Sequence, residues 1–230
     1  MTTHFSSGVT NVSSTGSESL IKQPSRHKYH EYFNDFDVYT AGDWTITTTE
    51  DGSGSAAEAL IDGDGGLLQV TNAAGDNDHD FLQLKGESFK LSSSKRAYFN
   101  ARFKVSDATQ SDFVMGLQIT DTTPLAASDG VNFRKDDGDA LLDFVVEKDS
   151  TETLTAGVAT MADDTFIQVG FFLDPDSSQV SYFINNAEPV AVVNTNLPDN
   201  EELTVSFGIQ NGEAAAKVMT IDYVNVMVER

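Results

Sequence analysis

Cysteine is absent from the 230 residues. Disulfides, thiolate metal sites and thiol nucleophiles are therefore excluded, and a small disulfide-stapled scaffold with them. No apolar run approaches the roughly 18 residues that carry a helix across a bilayer. The opening MTTHFSSGVTNVSS has neither a basic n-region nor an apolar h-region, so no secretory signal is expected. Basic residues are scarce, with 14 Lys and Arg against 36 Asp and Glu and a net charge of −22. Such a chain repels phosphate backbones and anionic headgroups, so neither nucleic acid nor a membrane is an expected partner. Trp44 is the one tryptophan, a thin supply of the aromatic platforms that sugar clefts use. No Gly-rich phosphate loop or G-x-S-x-G elbow occurs, and no cofactor is expected.

What is present is two-residue alternation. In RAYFNARFKV, Ala97, Phe99, Ala101, Phe103 and Val105 share one face, while Arg96, Tyr98, Asn100, Arg102 and Lys104 share the other. That period defines a strand with one face in a core. Phe113, Met115, Leu117 and Ile119 repeat it, as do Leu203, Val205, Phe207 and Ile209. Turn residues separate the runs at Asp174-Pro175-Asp176, Asn185-Asn186, Leu197-Pro198-Asp199-Asn200 and Asn211-Gly212. Strands thus recur about every ten to fifteen residues, which predicts an all-β fold, a two-sheet antiparallel sandwich. Ser55–Leu60 (SAAEAL) could form one helical turn. Two segments are apolar on both sides, TFIQVGFFL and MTIDYVNVMV, and predict central strands or strands covered by a neighbouring subunit.

Residues 1–30 stand apart. Lys22, Arg26 and Lys28 face a lone Glu18, so this stretch is net +2 against −24 for residues 31–230. With few apolar residues and no period, it predicts an extended N-terminal arm before a sandwich domain at 31–230. The arm's charge suits docking on an acidic neighbour. The contact residues expected from it are Lys22, Arg26, His27, Lys28, Tyr29 and His30.

The C-terminal third, with VSYFINNAEPVAVV, a Leu-Pro turn, FGIQN and IDYVNV in that order, resembles the closing strands of concanavalin A-like sandwiches of the laminin G and glucanase type. That resemblance implies a jelly roll of two facing antiparallel sheets with six or seven strands each. The opening HFSSGVTNVSS, the junction YHEYFNDFDVYTAGDWTIT and the middle ARFKVSDATQSDFVMGLQITDTTPL resemble tailed-bacteriophage virion proteins, among them capsid decoration (cement) proteins. This second resemblance implies a structural, non-enzymatic subunit on the capsid surface of a virion. Its partner would be the major capsid protein, and it would act as a homo-oligomer, expected as a trimer. A glycan-binding module or tail adhesin on the same sandwich is the alternative.

A glycosidase is the third reading. In LLDFVVEKDSTETLT, Glu147, Asp149 and Glu152 follow the E-x-D-x-x-E order of sandwich glucanases, which the resemblance places on one strand facing a sugar cleft. Retaining enzymes need two carboxyl groups about 5–5.5 Å apart. In an uninterrupted strand Glu147 and Asp149 share a face and Glu152 points away. Lys148, Ser150 and Thr151 flank the acids with polar side chains, so EKDSTE is read as a solvated hairpin tipped by Asp149 and Ser150. Acidic loops also offer oxygen ligands to calcium, at Asp62 and Asp64 in DGDGG, Asp76 and Asp78 in GDNDHD, and within KDDGDA. None has EF-hand spacing, and the turn reading is preferred. His4, His27, His30 and His79 lack metal-type spacing.

Overall fold

Strands that are apolar on alternate side chains must hide one face, and stacking two sheets hides both at once. The computed structural model describes residues 27–175, 179–185 and 187–230. Residues 1–26, which hold most of the expected arm including Lys22 and Arg26, lie outside them. The strands are β1 (Tyr29–Asn34), β2 (Trp44–Thr49), β3 (Ala57–Ile61), β4 (Leu67–Thr71), β5 (His79–Leu84), β6 (Ala97–Val105), β7 (Ser111–Gln118) and β8 (Gly130–Lys135). They continue with β9 (Leu141–Lys148), β10 (Thr151–Thr160), β11 (Ile167–Asp174), β12 (Gln179–Ile184), β13 (Val190–Val193), β14 (Thr204–Asn211) and β15 (Val218–Glu229). Helical structure among the described residues is limited to two short 3-10 turns, Ala41–Asp43 and Pro124–Ala126.

One sheet has seven strands in the order β10-β9-β8-β7-β14-β5-β2. The other has eight, ordered β13-β12-β11-β6-β15-β4-β3, with β1 also paired to β15. The two-sheet antiparallel sandwich expected from the alternation is the fold observed. Ala97, Phe99, Ala101, Phe103 and Val105 all point between the sheets and are buried, as are Phe113, Met115, Leu117, Val205, Phe207 and Ile209. Phe99 stacks on Phe171 at 5.2 Å, and Phe171 meets Phe144 from the opposite sheet at 6.1 Å. Each such ring stabilises the fold by about 2–3 kcal/mol through burial. Trp44 is also in this core, edge-on to Phe207 at 5.1 Å, and so is no sugar platform.

The change of parity in MTIDYVNVMV is a β-bulge. Ile221 pairs with Phe103 and Tyr223 with Arg102, which leaves Asp222 as the extra residue. Beyond it Val224, Val226 and Val228 take over the core face. The double-sided apolar strand β11 is interior to its sheet, between β12 and β6. The helical turn expected at 55–60 does not form, because Ala57–Ile61 pairs residue by residue with Leu67–Thr71 and ladder hydrogen bonds outweigh a local alanine preference. The N-terminal junction is also more ordered than an arm. Tyr29 pairs with Glu229 and His30 with Val228, so these two residues belong to the sandwich.

Candidate functional site

The hairpin that carries the acidic trio lies at one side of the seven-stranded sheet. Asp149 and Ser150 have φ of 50° and 59°, the left-handed pair that a two-residue type I′ connection requires. Asp149 N–H donates to Asp129 Oδ1 at 3.1 Å, and Ser150 N–H donates to Ser128 O at 2.8 Å. Asn200 Nδ2 donates to the Asp149 carboxylate at 3.3 Å. Asp149 is thus a turn residue tied to neighbouring loops. The turn corrects the one-strand parity argument. Glu147 and Glu152 are direct cross-strand partners, and directly opposed residues share a face of the sheet.

Register fills in the rest of that outer face. Val145 sits opposite Asn132 on one side and Leu154 on the other, and Asn132 is opposite Gly116 of β7. A Cβ on Gly116 would lie 2.5 Å from Asn132 Cα, so glycine is what lets this floor close up. Arg134, on β8, reaches across β9 to place Nη2 3.1 Å from Glu152 Oε2. Burial first, then the facing Glu152 carboxylate, push the Glu147 carboxyl above its usual range, and Arg134 opposes them. The two acids therefore differ: Glu152 is held by a cation, while Glu147 holds its proton more tightly.

The loop 119–129 is fastened onto the same face. Gln83 Nε2 donates to Ile119 O at 3.0 Å and to Ser206 Oγ at 3.1 Å, and its Oε1 accepts from Asp121 N–H at 3.0 Å. Gln118 Nε2 donates to Pro124 O at 3.0 Å. Two amide oxygens here have no donor although both are buried, Gln118 Oε1 and Asn132 Oδ1. They belong to adjacent strands of one face. Sequence reading passed over both residues, since neither carries charge and only strand pairing brings them together.

The calcium candidates separate. Asp78 is fully buried, and its carboxylate accepts from the backbone N–H groups of Asp51 at 2.7 Å, Gly52 at 3.0 Å and Gly75 at 2.7 Å. These bonds pull its pKa down, and they make Asp78 the pin of two loops. Asp62, Asp64 and Asp76 are exposed. Among the described residues no group of three or more His, Asp or Glu is arranged to hold a metal. Lysines occupy the positive role at the acidic loops. Lys135 is fully buried and donates from Nζ to Ser111 O at 2.6 Å and Asp136 O at 2.8 Å. Lys217 Nζ meets Asp107 at 2.8 Å and Glu213 at 2.7 Å.

Of the expected contact residues, His27 and Lys28 are exposed in a turn. Tyr29 is buried at 4% exposure. His30 packs edge-on against Phe89 at 4.7 Å. One further titratable group was not foreseen. Asp80 faces the inter-sheet space, accepts from Thr48 Oγ1 at 2.7 Å and has no donor for Oδ2. Burial, with Glu58 and Glu50 nearby, drives its pKa up to about 7 against the Thr48 bond.

Similarity to known proteins bears on the fold. No family model and no curated protein matches the sequence. Among solved structures, a protein of unknown function from Shewanella oneidensis MR-1 superposes with a TM-score of 0.60 at 14% identity, over 88% of this chain and 87% of that one. Peanut lectin gives 0.57 at 10% identity, over 87% and 97%. The Bacteroides ovatus mixed linkage glucan GH16 protein, solved with a G4G4G3G product, gives 0.59 at 14%, over 85% and 99%. At such identities the likeness establishes a class of architecture, the concanavalin A-like jelly roll shared by lectins and glucanases, and it establishes nothing about ligand.

Proposed function

We propose that the protein is a non-catalytic carbohydrate-binding sandwich that takes its ligand on the outer face of the seven-stranded sheet. The observation that carries this reading is the pair of buried, donor-less amide oxygens, Asn132 Oδ1 and Gln118 Oε1. An unpaired buried acceptor costs about 1–3 kcal/mol. Gln118, Gln83 and Val145 on this face are closed to solvent, so saccharide hydroxyls supply the missing donors once the loop 119–129 fastened there lifts. Arg134 and Glu147 extend the polar row. The lectin and the glucanase found among structures of like fold support a sugar as ligand class. Against hydrolysis stands the hairpin: Asp149 is consumed by its turn and Glu152 by Arg134, so the three acids do not line up along one strand.

A glycan array probed with the full-length protein, followed by calorimetry, tests the reading. Retention of defined oligosaccharides is expected, with binding lost in Asn132→Ala and no reducing ends released. An array that stays blank, or affinity indifferent to Asn132→Ala, overturns it.

A second reading rests on the sequence resemblance to virion proteins, with the major capsid protein as partner and the capsid surface as location. None of the comparisons points to a virion. Cosedimentation of the full-length protein with purified phage capsids is its test, and no binding at saturating protein excludes it.

A further inference from the structure

Among the described residues the eight-stranded sheet ends in edges at β13 and β3, and β1 is a further open edge beside β15. On one side β15 pairs with β6 over nearly its whole length. On the other it pairs with two strands in succession, β4 against Val218–Ile221 and β1 against Val224–Glu229. β4 is covered in turn by β3, whereas β1 has no second neighbour among the described residues. Arg230 N–H donates to Lys28 O. Backbone groups alternate in direction along a strand, so His30, Tyr32 and Asn34 face β15. Glu31 and Phe33 therefore turn their N–H and C=O to the open edge. Such an edge is a template for one more strand.

A groove of about 540 Å³ runs beside it, with Tyr32, Phe33, Val38, Asp43, Trp44 and Lys85 among its lining. Phe33 is 56% exposed and Val38 71% exposed. Glu31, Asp37 and Asp43 are exposed around it. The surface thus asks for an extended segment with apolar and cationic side chains.

We propose that this edge is filled by the N-terminal segment, residues 1–26, of a second copy of the chain, added as a strand. Charge is complementary, since that segment carries Lys22 and Arg26 against the single carboxylate of Glu18, and Leu20 and Ile21 beside Lys22 supply apolar side chains. Its length suffices: 26 extended residues reach roughly 85 Å, well beyond one domain. The copy's own segment is unsuited. Folding back through a two-residue turn at His27–Lys28 would set Pro24 opposite Glu31, where the ladder needs an N–H that proline lacks. This inference is independent of the sugar reading.

The test is the molar mass of the full-length protein by light scattering across concentration, at low and high salt. An oligomer is expected, weakened by salt. Glu31→Pro removes the outward N–H and one surrounding carboxylate while leaving the β1–β15 hydrogen bonds in place, and should raise the dissociation constant about tenfold or more with the melting temperature little changed. The double variant Lys22→Glu/Arg26→Glu should do the same, and decides the matter if the proline variant folds poorly. A synthetic peptide of residues 1–26 should compete. A single-chain mass at every concentration, or an oligomer that neither variant weakens, overturns the proposal.

Discussion

Glu147 and Glu152 face each other directly across the β9–β10 hairpin. Like charges in that position repel, and Arg134, 3.1 Å from Glu152, offsets the repulsion from one side only. The Glu147 carboxyl is left above its ordinary range by burial and by Glu152. Glu152→Gln removes the facing charge, so the Glu147 titration should move down, toward the ordinary glutamate value. Carbon-detected NMR of the carboxyl groups reads this. Stability should change by less than about 1 kcal/mol, since the ion pair is partly exposed. An unmoved Glu147 titration would show that burial alone sets it.

Asp80 predicts a pH slope. Its folded-state pKa is raised to about 7, above the unfolded carboxylate value of about 3.9. A raised group stabilises fully below the unfolded pKa, and that contribution is lost as pH rises through the folded one. Between pH 5 and pH 8 the wild type should therefore lose about 2 kcal/mol that Asp80→Asn does not lose. Urea unfolding of both proteins at the two pH values measures the difference. Parallel slopes would mean that Asp80 ionises in the folded state as it does in the unfolded chain.

Lys135 predicts a loss of stability without a lost ion pair. Its ammonium donates to Thr109 O, Ser111 O and Asp136 O. Lys135→Met keeps the length of the side chain and leaves Ser111 O, the buried one of the three carbonyls, without that donor, while Thr109 O keeps the Gly138 N–H. The expected cost is about 1–3 kcal/mol, seen as a lower urea midpoint with an unchanged m-value. A midpoint within experimental error of wild type would show that water replaces the ammonium at no cost.

The sequence by itself determined the strands and their buried faces. Alternation at Ala97–Val105 and Phe113–Leu117 is local information, because successive side chains on a strand point to opposite sides whatever lies beside them. The turn at Asp149–Ser150 was equally legible, since the residue types that accept left-handed backbone geometry are few. Even the bulge at Asp222 showed as a slip of parity. Tertiary structure alone decided which strands are neighbours. Gln118 and Asn132 are diagonal neighbours because β7 and β8 pair, and Arg134 finds Glu152 because β9 lies between their strands. Lys135 and Asp80 stand at the ends of the acidic turn sequences KDDGDA and GDNDHD, yet both are buried. The open edge of β1 depends on β15 outrunning β4. Periodicity assigns a face to each side chain, but only the pairing of distant segments supplies its neighbours, and the chemistry of a site resides in those neighbours.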